Sequence, residues 1–313
     1  MTKPSVLMIG PYPEWDMEDL HAQYEILKLW EQSDKDAFIS KHTDAIRAIA
    51  TRGELGAKRG LMEKLPKLEI ISCYGVGTDA IDLNAARELK LRVTNTPDVL
   101  TEDVADIAIG LMISVARKIP QGDAYVRSGE WASKNMGLVT RFFGKRLGII
   151  GMGRVGAAVA KRAMGFDMKI SYFDIRKRDD LSCDFCSSVT ELAANCDFLV
   201  ATVAGGDGTS RLINADVFKS LGPDGYFINV ARGSVVDESA LLAALESGQI
   251  KGAGLDVFWN EPRIDPRFIK LENVVLQPHH ASGTVETRKA MGQLVRDNLA
   301  AHFAGRPLLT PVV

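Results

Sequence analysis

Arg232 in NVARGS, Glu261 in VFWNEP and a histidine in QPHHASGT, where His279 and His280 stand side by side, have complementary side-chain chemistries. A planar guanidinium can clamp a carboxylate, an imidazole can exchange a proton with a carbonyl or hydroxyl, and an acid can orient that imidazole and keep it protonated. Reduction of a 2-keto acid by hydride transfer asks a protein for this set, with the hydride supplied by a cofactor. Singly, each residue has a structural alternative: a surface ion pair for Arg232, a solvated loop acid before Pro262 for Glu261, a satisfied structural side chain for either histidine. Jointly they point to a site, because each follows a short apolar run that reads as a strand, and open α/β sheets bind ligands beyond the C-terminal ends of their strands. Along extended backbone, neighbouring side chains face opposite ways, so only one of the two imidazoles is expected to face the crevice. Periodicity alone does not say which.

A second feature supplies the cofactor. GIIGMGRVG places Gly151, Gly153 and Gly156 in a GxGxxG array between an apolar strand and the helical run AAVAKRAM. The first glycine permits a tight turn, the second lets backbone approach a pyrophosphate, and the third allows close helix–strand packing. The order strand, turn, helix, strand is the context that gives this short pattern meaning. With Met152, Arg154 and Val155, the glycines form the expected cofactor turn. The next strand ends at Asp174, where an acid accepts hydrogen bonds from the adenosine ribose and repels a 2′-phosphate. Arg176, Lys177 and Arg178 follow at once and could hold that phosphate instead, so the residues leave NAD(H) or NADP(H) open.

Positioning these groups requires strands joined by crossover helices, and short apolar runs alternating with helix-period stretches provide them. A first series, VLMIG (6–10), AFIS (37–40), IRAIAT (46–51), EIISCYG (69–75) and LRVTN (91–95), predicts a five-stranded sheet. The second series, LGII (147–150), KISYF (169–173), FLVAT (198–202), YFINV (226–230), AGLDV (253–257) and NVVL (273–276), predicts six strands, enough for a dinucleotide-binding sheet. Between them, TEDVADIAIGLMISVARK has Val104, Ile107, Ala108, Leu111, Met112 and Val115 at helical spacing and Thr101 as an N-cap. It is expected to be a long interdomain helix. A final helical stretch from Val285 to Phe303 is expected to return to the first domain.

Composition narrows the partners. The 313 residues exceed what one core organises, which predicts two domains. A net charge of −2 and only short basic clusters argue against nucleic acid and membrane surfaces and for a small-molecule ligand. The opening MTKPSVLMIG lacks a signal-peptide layout, no apolar stretch approaches bilayer length, and four cysteines make no disulfide framework. A cytoplasmic protein is expected. Cys183 and Cys186 have metal-knuckle spacing, with Cys196 nearby, but no second pair completes four ligands, so no metal is predicted.

Across essentially its whole length the sequence resembles the D-isomer-specific 2-hydroxyacid dehydrogenases, and among them the glyoxylate/hydroxypyruvate reductases. YGVGTDAIDL (74–83), VTNTPDVLTEDVADIAIGLM (93–112), GKRLGIIGMGRVG (144–156), NVARGSVVDESALLAAL (229–245), GAGLDVFWNEP (252–262) and PHHASGTVETRKAM (278–291) carry the resemblance in order. It implies that Arg232 binds the substrate carboxylate and polarises the keto group, that Glu261 raises the pKa of the histidine, and that His279, directly after the proline, is the acid/base. By the same resemblance Gly75, Val76 and Gly77 present backbone N–H groups to the carboxylate, Asp256 lies near the nicotinamide carboxamide, and Thr101, Val203, Ala231 and Ser282 border the cofactor. Arg52 and Leu100 are candidates for substrate selectivity.

The implied architecture is a Rossmann-type cofactor domain (99–285) inserted in a flavodoxin-like substrate domain (1–98 with 286–313), the two closing to exclude water from the hydride path. The implied assembly is a homodimer, with the 101–118 helix and the loop around Trp131 near the interface. Core packing is an equal alternative for Trp131. Two positions depart from the subgroup: Asp174-Ile175 stands where NADPH-using relatives carry a small or amide residue followed by arginine, and Ala204-Gly205 stands where a proline often follows the strand. The same fold also serves reductases of aryl pyruvates, enzymes acting on formate or phosphite, and, in another class, nucleotide-sensing corepressor-like interaction proteins.

Overall fold

In the computed structural model, which describes residues 3–313, the chain forms two compact units, one of residues 3–100 with 283–313 and one of 101–282. The two N-terminal residues of the expected first domain lie outside the described residues.

The first unit is built on five parallel strands: β1 (Ser5–Met8), β2 (Glu25–Lys28), β3 (Ile46–Arg52), β4 (Ile70–Tyr74) and β5 (Arg92–Thr94). Their order, β2-β1-β3-β4-β5, is the flavodoxin-like doubly wound arrangement. Near-continuous Val, Ile and Ala in β1, β3 and β4 is what burial on both faces demands of a parallel sheet. One expected strand is wrong. AFIS (37–40) lies in a helix, Lys35–His42, because the Asp34 carboxylate caps it by accepting the Ala37 N–H, and Ile39 is its buried residue. The true second strand is EILK, whose two polar ends masked it; Ser5 pairs with Glu25 in register. The helix Val285–Phe303 returns to this unit as expected, burying Met291, Val295 and Leu299 against Val6, Met8, Ala48 and Ile70.

The second unit holds a seven-stranded parallel sheet: β6 (Arg146–Ile150), β7 (Lys169–Phe173), β8 (Asp184–Phe185), β9 (Phe198–Ala201), β10 (Tyr226–Asn229), β11 (Gly252–Leu255) and β12 (Val274–Leu276). Six strands were expected. The seventh, β8, has two residues, too short for any periodicity. The order β12-β11-β10-β9-β6-β7-β8 reverses direction between β6 and β9, which makes the crevice beyond that point the expected ligand position.

Register keeps the strand ends level: Ile150 pairs with both Phe173 and Ala201, Asn229 with Ala201 and Leu255, and Leu255 with Leu276. The helix Thr101–Arg117 belongs to this unit, packing Leu111 and Val115 close over Gly254 and Gly252 of β11. Thr101 is its first helical residue rather than its N-cap. Each such fully buried aliphatic side chain stabilises the fold by about 1.5–3 kcal/mol.

Candidate active site

Beyond β6 the chain makes the glycine turn. Gly151 has φ +93°, and a Cβ there would meet Val203 within 2.7 Å. At Gly156 a Cβ would lie 2.1 Å from the Gly151 carbonyl oxygen, so only glycine lets the helix Arg154–Met164 start against the turn. Gly153 is different: a Cβ would meet no atom within 4 Å. That open space lies at the N-terminus of an 11-residue helix, where Val155 and Gly156 present N–H groups that an α-helix leaves to outside acceptors. The turn therefore fits a dinucleotide pyrophosphate.

Thr202, at the end of β9, clasps the turn by donating its hydroxyl to the Gly151 carbonyl at 2.6 Å. Sequence reasoning missed it, although a hydroxyl ending an apolar strand was visible. Where a proline often follows β9, the Thr209 hydroxyl donates to the Ala204 carbonyl at 2.7 Å and fastens the loop. Asp174, beyond β7, spans two backbone donors: Oδ2 accepts from Met152 N–H at 2.8 Å and Oδ1 from Ile175 N–H at 2.7 Å. Arg176 and Lys177 are exposed.

Beyond β10, β11 and β12 the three chemically complementary side chains converge. Glu261 Oε2 lies 2.6 Å from His279 Nδ1, and Glu261 Oε1 accepts the Phe258 N–H at 2.7 Å. Burial pushes this carboxyl up, but the His279 bond, the Phe258 N–H and the charges of His279 and Arg232 outweigh it, holding it below the usual carboxylate range. Arg232 donates from Nη1 to the Ala231 carbonyl at 2.7 Å, and its own carbonyl accepts from Asn229 Nδ2 at 3.0 Å. Asn229 is buried and also takes the Ala231 N–H on Oδ1 at 3.0 Å, which fixes the start of the 230–232 loop. Immediately after Arg232, a Cβ on Gly233 would sit 2.0 Å from the Phe258 carbonyl carbon. Glycine is therefore what brings the arginine loop into contact with the loop carrying Glu261.

The histidine pair is resolved by geometry that differs from the expectation. The backbone at 279 is not extended: His279 has φ +51°. What imposes this is Asp256, buried at the end of β11, whose carbonyl accepts the His279 N–H at 2.8 Å while Oδ1 and Oδ2 accept the N–H groups of His280 (2.7 Å) and Ala281 (3.1 Å). Burial pushes the Asp256 carboxyl up, and the two loop N–H groups pull it back only in part. The bend sends the 279 ring to Glu261 and leaves His280 exposed. Asp256 thus anchors the histidine loop, a task the sequence did not reveal.

Of the remaining candidates in this unit, Val203 packs on Gly151, Arg154 begins the helix after the turn, Thr101 begins the helix Thr101–Arg117 and Ser282 lies in the turn after Ala281. Trp131 is 64% exposed, which excludes core packing. In the first unit, Asn95 Nδ2 donates to the Val76 carbonyl at 2.8 Å, Thr96 Oγ1 accepts the Gly75 N–H at 3.1 Å, and Val76 itself is exposed. Gly77 places its carbonyl oxygen 3.0 Å from where a Gly53 Cβ would be. Arg52 pairs with Glu54 at 2.6 Å, and Leu100 packs against the core around Val6 and Met291.

Comparison with known proteins adds three findings. Residues 109–281 match the family model described as D-isomer specific 2-hydroxyacid dehydrogenase, NAD binding domain. The chain is 48% identical over 308 residues to hydroxyphenylpyruvate reductase of Plectranthus scutellarioides, covering 98% of each. Among solved structures it resembles a 2-hydroxyacid dehydrogenase from Ketogulonicigenium vulgare Y25 (TM-score 0.94, 53% identity, 100% of this chain and 99% of that one). It is equally similar in shape to the NADPH-dependent glyoxylate/hydroxypyruvate reductase of Sinorhizobium meliloti solved with NADP and malonate (TM-score 0.94, 39% identity, 100% of this chain and 97% of that one).

Proposed function

This chain belongs to the D-isomer specific 2-hydroxyacid dehydrogenases, and from that premise we propose that it reduces small 2-keto acids, glyoxylate and hydroxypyruvate foremost, to D-2-hydroxy acids with NAD(P)H. The observation that carries the reading is the 2.6 Å contact between His279 Nδ1 and Glu261 Oε2 with Arg232 beside it. A nicotinamide dinucleotide with its pyrophosphate held by the glycine turn would supply the hydride. Because Glu261 occupies Nδ1, the other ring nitrogen, Nε2, is the one that hands a proton to the carbonyl oxygen. Glu261 fixes the orientation of the ring and stabilises the imidazolium.

Arg232 grips the carboxylate and polarises the keto group. Val76 and Gly77 in the first unit are the proposed source of further N–H donors to the carboxylate, the Gly75 N–H being already donated to Thr96 Oγ1. Thr101, Val203, Ala231 and Ser282 are proposed cofactor neighbours. Asp256 enters as the anchor of the histidine loop. The second unit is then the dinucleotide domain and the first the substrate domain.

The identity to hydroxyphenylpyruvate reductase favours a second reading, in which aryl pyruvates are also reduced. Steady-state reduction of glyoxylate, hydroxypyruvate and hydroxyphenylpyruvate, each with NADH and NADPH, ranks the two. Turnover of none of the three contradicts both.

The proposed assembly is a cytoplasmic homodimer. Ile119, Val126, Trp131, Leu138 and Phe143 expose large apolar side chains along one 25-residue segment, which supports a covering partner there. The four cysteines form no disulfide among the described residues, which accords with a reducing compartment. Among the described residues no helix is long and apolar enough to cross a membrane. Sedimentation of the purified protein reads the assembly directly.

A further inference from the structure

The segment from Asp174 to Asp180 folds around the backbone of a single residue of the glycine turn, Met152. Asp174 Oδ2 takes the N–H of Met152 at 2.8 Å, and Arg178 Nη1 donates to the Met152 carbonyl at 3.0 Å. The Arg178 backbone is itself fixed, its N–H donating at 2.8 Å to the hydroxyl of Tyr172, a side chain fully buried in β7. The rest of the Arg178 fork is held by Asp180, Nε to Oδ1 at 3.1 Å and Nη2 to Oδ2 at 2.5 Å. Lys177 lies 3.8 Å from Asp179. Arg176 is exposed and has no ion-pair partner among the described residues.

Three cations therefore stand beside the place where the second strand of a dinucleotide fold meets the adenosine ribose, but their charge is largely answered. Arg178 is committed to Asp180 and the turn, Lys177 is near Asp179, and Asp174 faces the ribose position with a carboxylate. A 2′-phosphate, carrying close to two negative charges and needing several donors, would meet that carboxylate and one exposed guanidinium. A ribose diol would meet an acceptor already oriented by two backbone N–H groups.

We propose that this chain selects NADH over NADPH, and that Asp180 enforces the choice without touching the cofactor, by holding the Arg178 guanidinium on the glycine turn. This rests on the reading that the turn binds a nicotinamide dinucleotide, and it separates the chain from the Sinorhizobium meliloti relative described as NADPH-dependent. Freed from Asp180, Arg178 becomes a phosphate-binding fork within reach of the ribose position.

The test is direct titration of NADH and NADPH, by calorimetry or nicotinamide fluorescence, on the full chain: wild type, Asp180→Asn, and the double variant Asp180→Asn with Arg178→Met. Thermal melts confirm that each variant is folded. The expected result is NADH binding about tenfold or more tighter than NADPH in the wild type, and a gain of about fivefold in NADPH affinity in Asp180→Asn. NADH affinity should stay within about twofold, and the gain should vanish in the double variant.

Wild-type protein that binds NADPH as tightly as NADH overturns the proposal. So does an Asp180→Asn variant with an unchanged affinity ratio, or a gain that persists without Arg178. Failure of the wild type to bind either dinucleotide is a different result. It strikes the dinucleotide reading itself.

Discussion

The two halves of the second unit's sheet hold their charged groups in different ways. Beyond β10, β11 and β12, Arg232, Glu261 and His279 are backed by buried polar residues, Asn229 and Asp256, and by contacts that fix backbone: Gly233 on Phe258, Asp256 on the N–H groups of 280 and 281. Beyond β7, the charges of residues 177–180 sit on a solvated loop and answer one another in pairs. Proton transfer needs groups placed to a fraction of an ångström, which only a buried scaffold secures. Choosing between two versions of a cofactor needs a balance of charge, which a solvated loop can set. Substitutions at the first end should therefore damage rate, and at the second end shift preference.

The largest effect is expected at Arg232. Replacing it with methionine would remove the proposed carboxylate grip and polarising charge together, and kcat/KM for any 2-keto acid should fall by about a thousandfold or more, with NADH affinity within about threefold. Steady-state kinetics beside dinucleotide titration check this. Loss of dinucleotide binding as well would place the arginine in the cofactor site instead.

Gly233→Ala should come next. The added methyl collides with the peptide after Phe258, so the loop carrying Arg232 or the loop carrying Glu261 must shift, and a displacement near 1 Å costs about a hundredfold in rate. The melting temperature should fall with it, by the equivalent of about 1–3 kcal/mol of overpacking. Full activity in a folded Gly233→Ala protein would show that contact between these loops is unnecessary.

Asp256→Asn is milder. The amide can accept only one of the two loop N–H groups, leaving a buried donor unmatched at a cost of about 1–3 kcal/mol, and kcat should drop about tenfold with KM for NADH little changed.

The smallest effect belongs to a pair at the opposite end of the same sheet. Burial pushes the Asp197 carboxyl up, but the bonds and charge of Arg146 outweigh it and hold it below the usual range. A folded-state pKa below the unfolded one stabilises the protein above the ordinary value near 4, and the benefit disappears as pH falls through the folded value. Asp197→Asn should thus cost about 0.5–1 kcal/mol at pH 7, the Arg146 side being largely exposed, and nothing in strong acid, with kcat unaffected. Denaturant melts at pH 7 and pH 3 read the difference.

Much of this was legible in the sequence. Glycine spacing between an apolar strand and an apolar helix fixes the pyrophosphate turn, because few other local structures use those residues in that order. The strands ending at Asn229 and Leu276 were readable from their Phe, Ile and Val content and the one ending at Leu255 as a short apolar run, and they set Arg232, Glu261 and the histidines level. Illegible were features that depend on distant partners. Asp256 reads as one more acid after a strand; only the fold shows both its oxygens spent on residues 280 and 281. EILK and AFIS exchange roles because a four-residue run carries no period, and the Asp34 cap decides for helix. The turn at His279 has positive φ without glycine, which no pattern announces.

The central claim is that the ring tied to Glu261, and not its neighbour, moves the proton. The direct measurement is single-turnover reduction of hydroxypyruvate by His279→Gln and His280→Gln, each saturated with reduced cofactor. The account predicts a loss of about a thousandfold in the first with dinucleotide affinity kept, and a rate within about threefold of wild type in the second. A His279→Gln protein that turns over at the wild-type rate, or a collapse confined to His280→Gln, would contradict it.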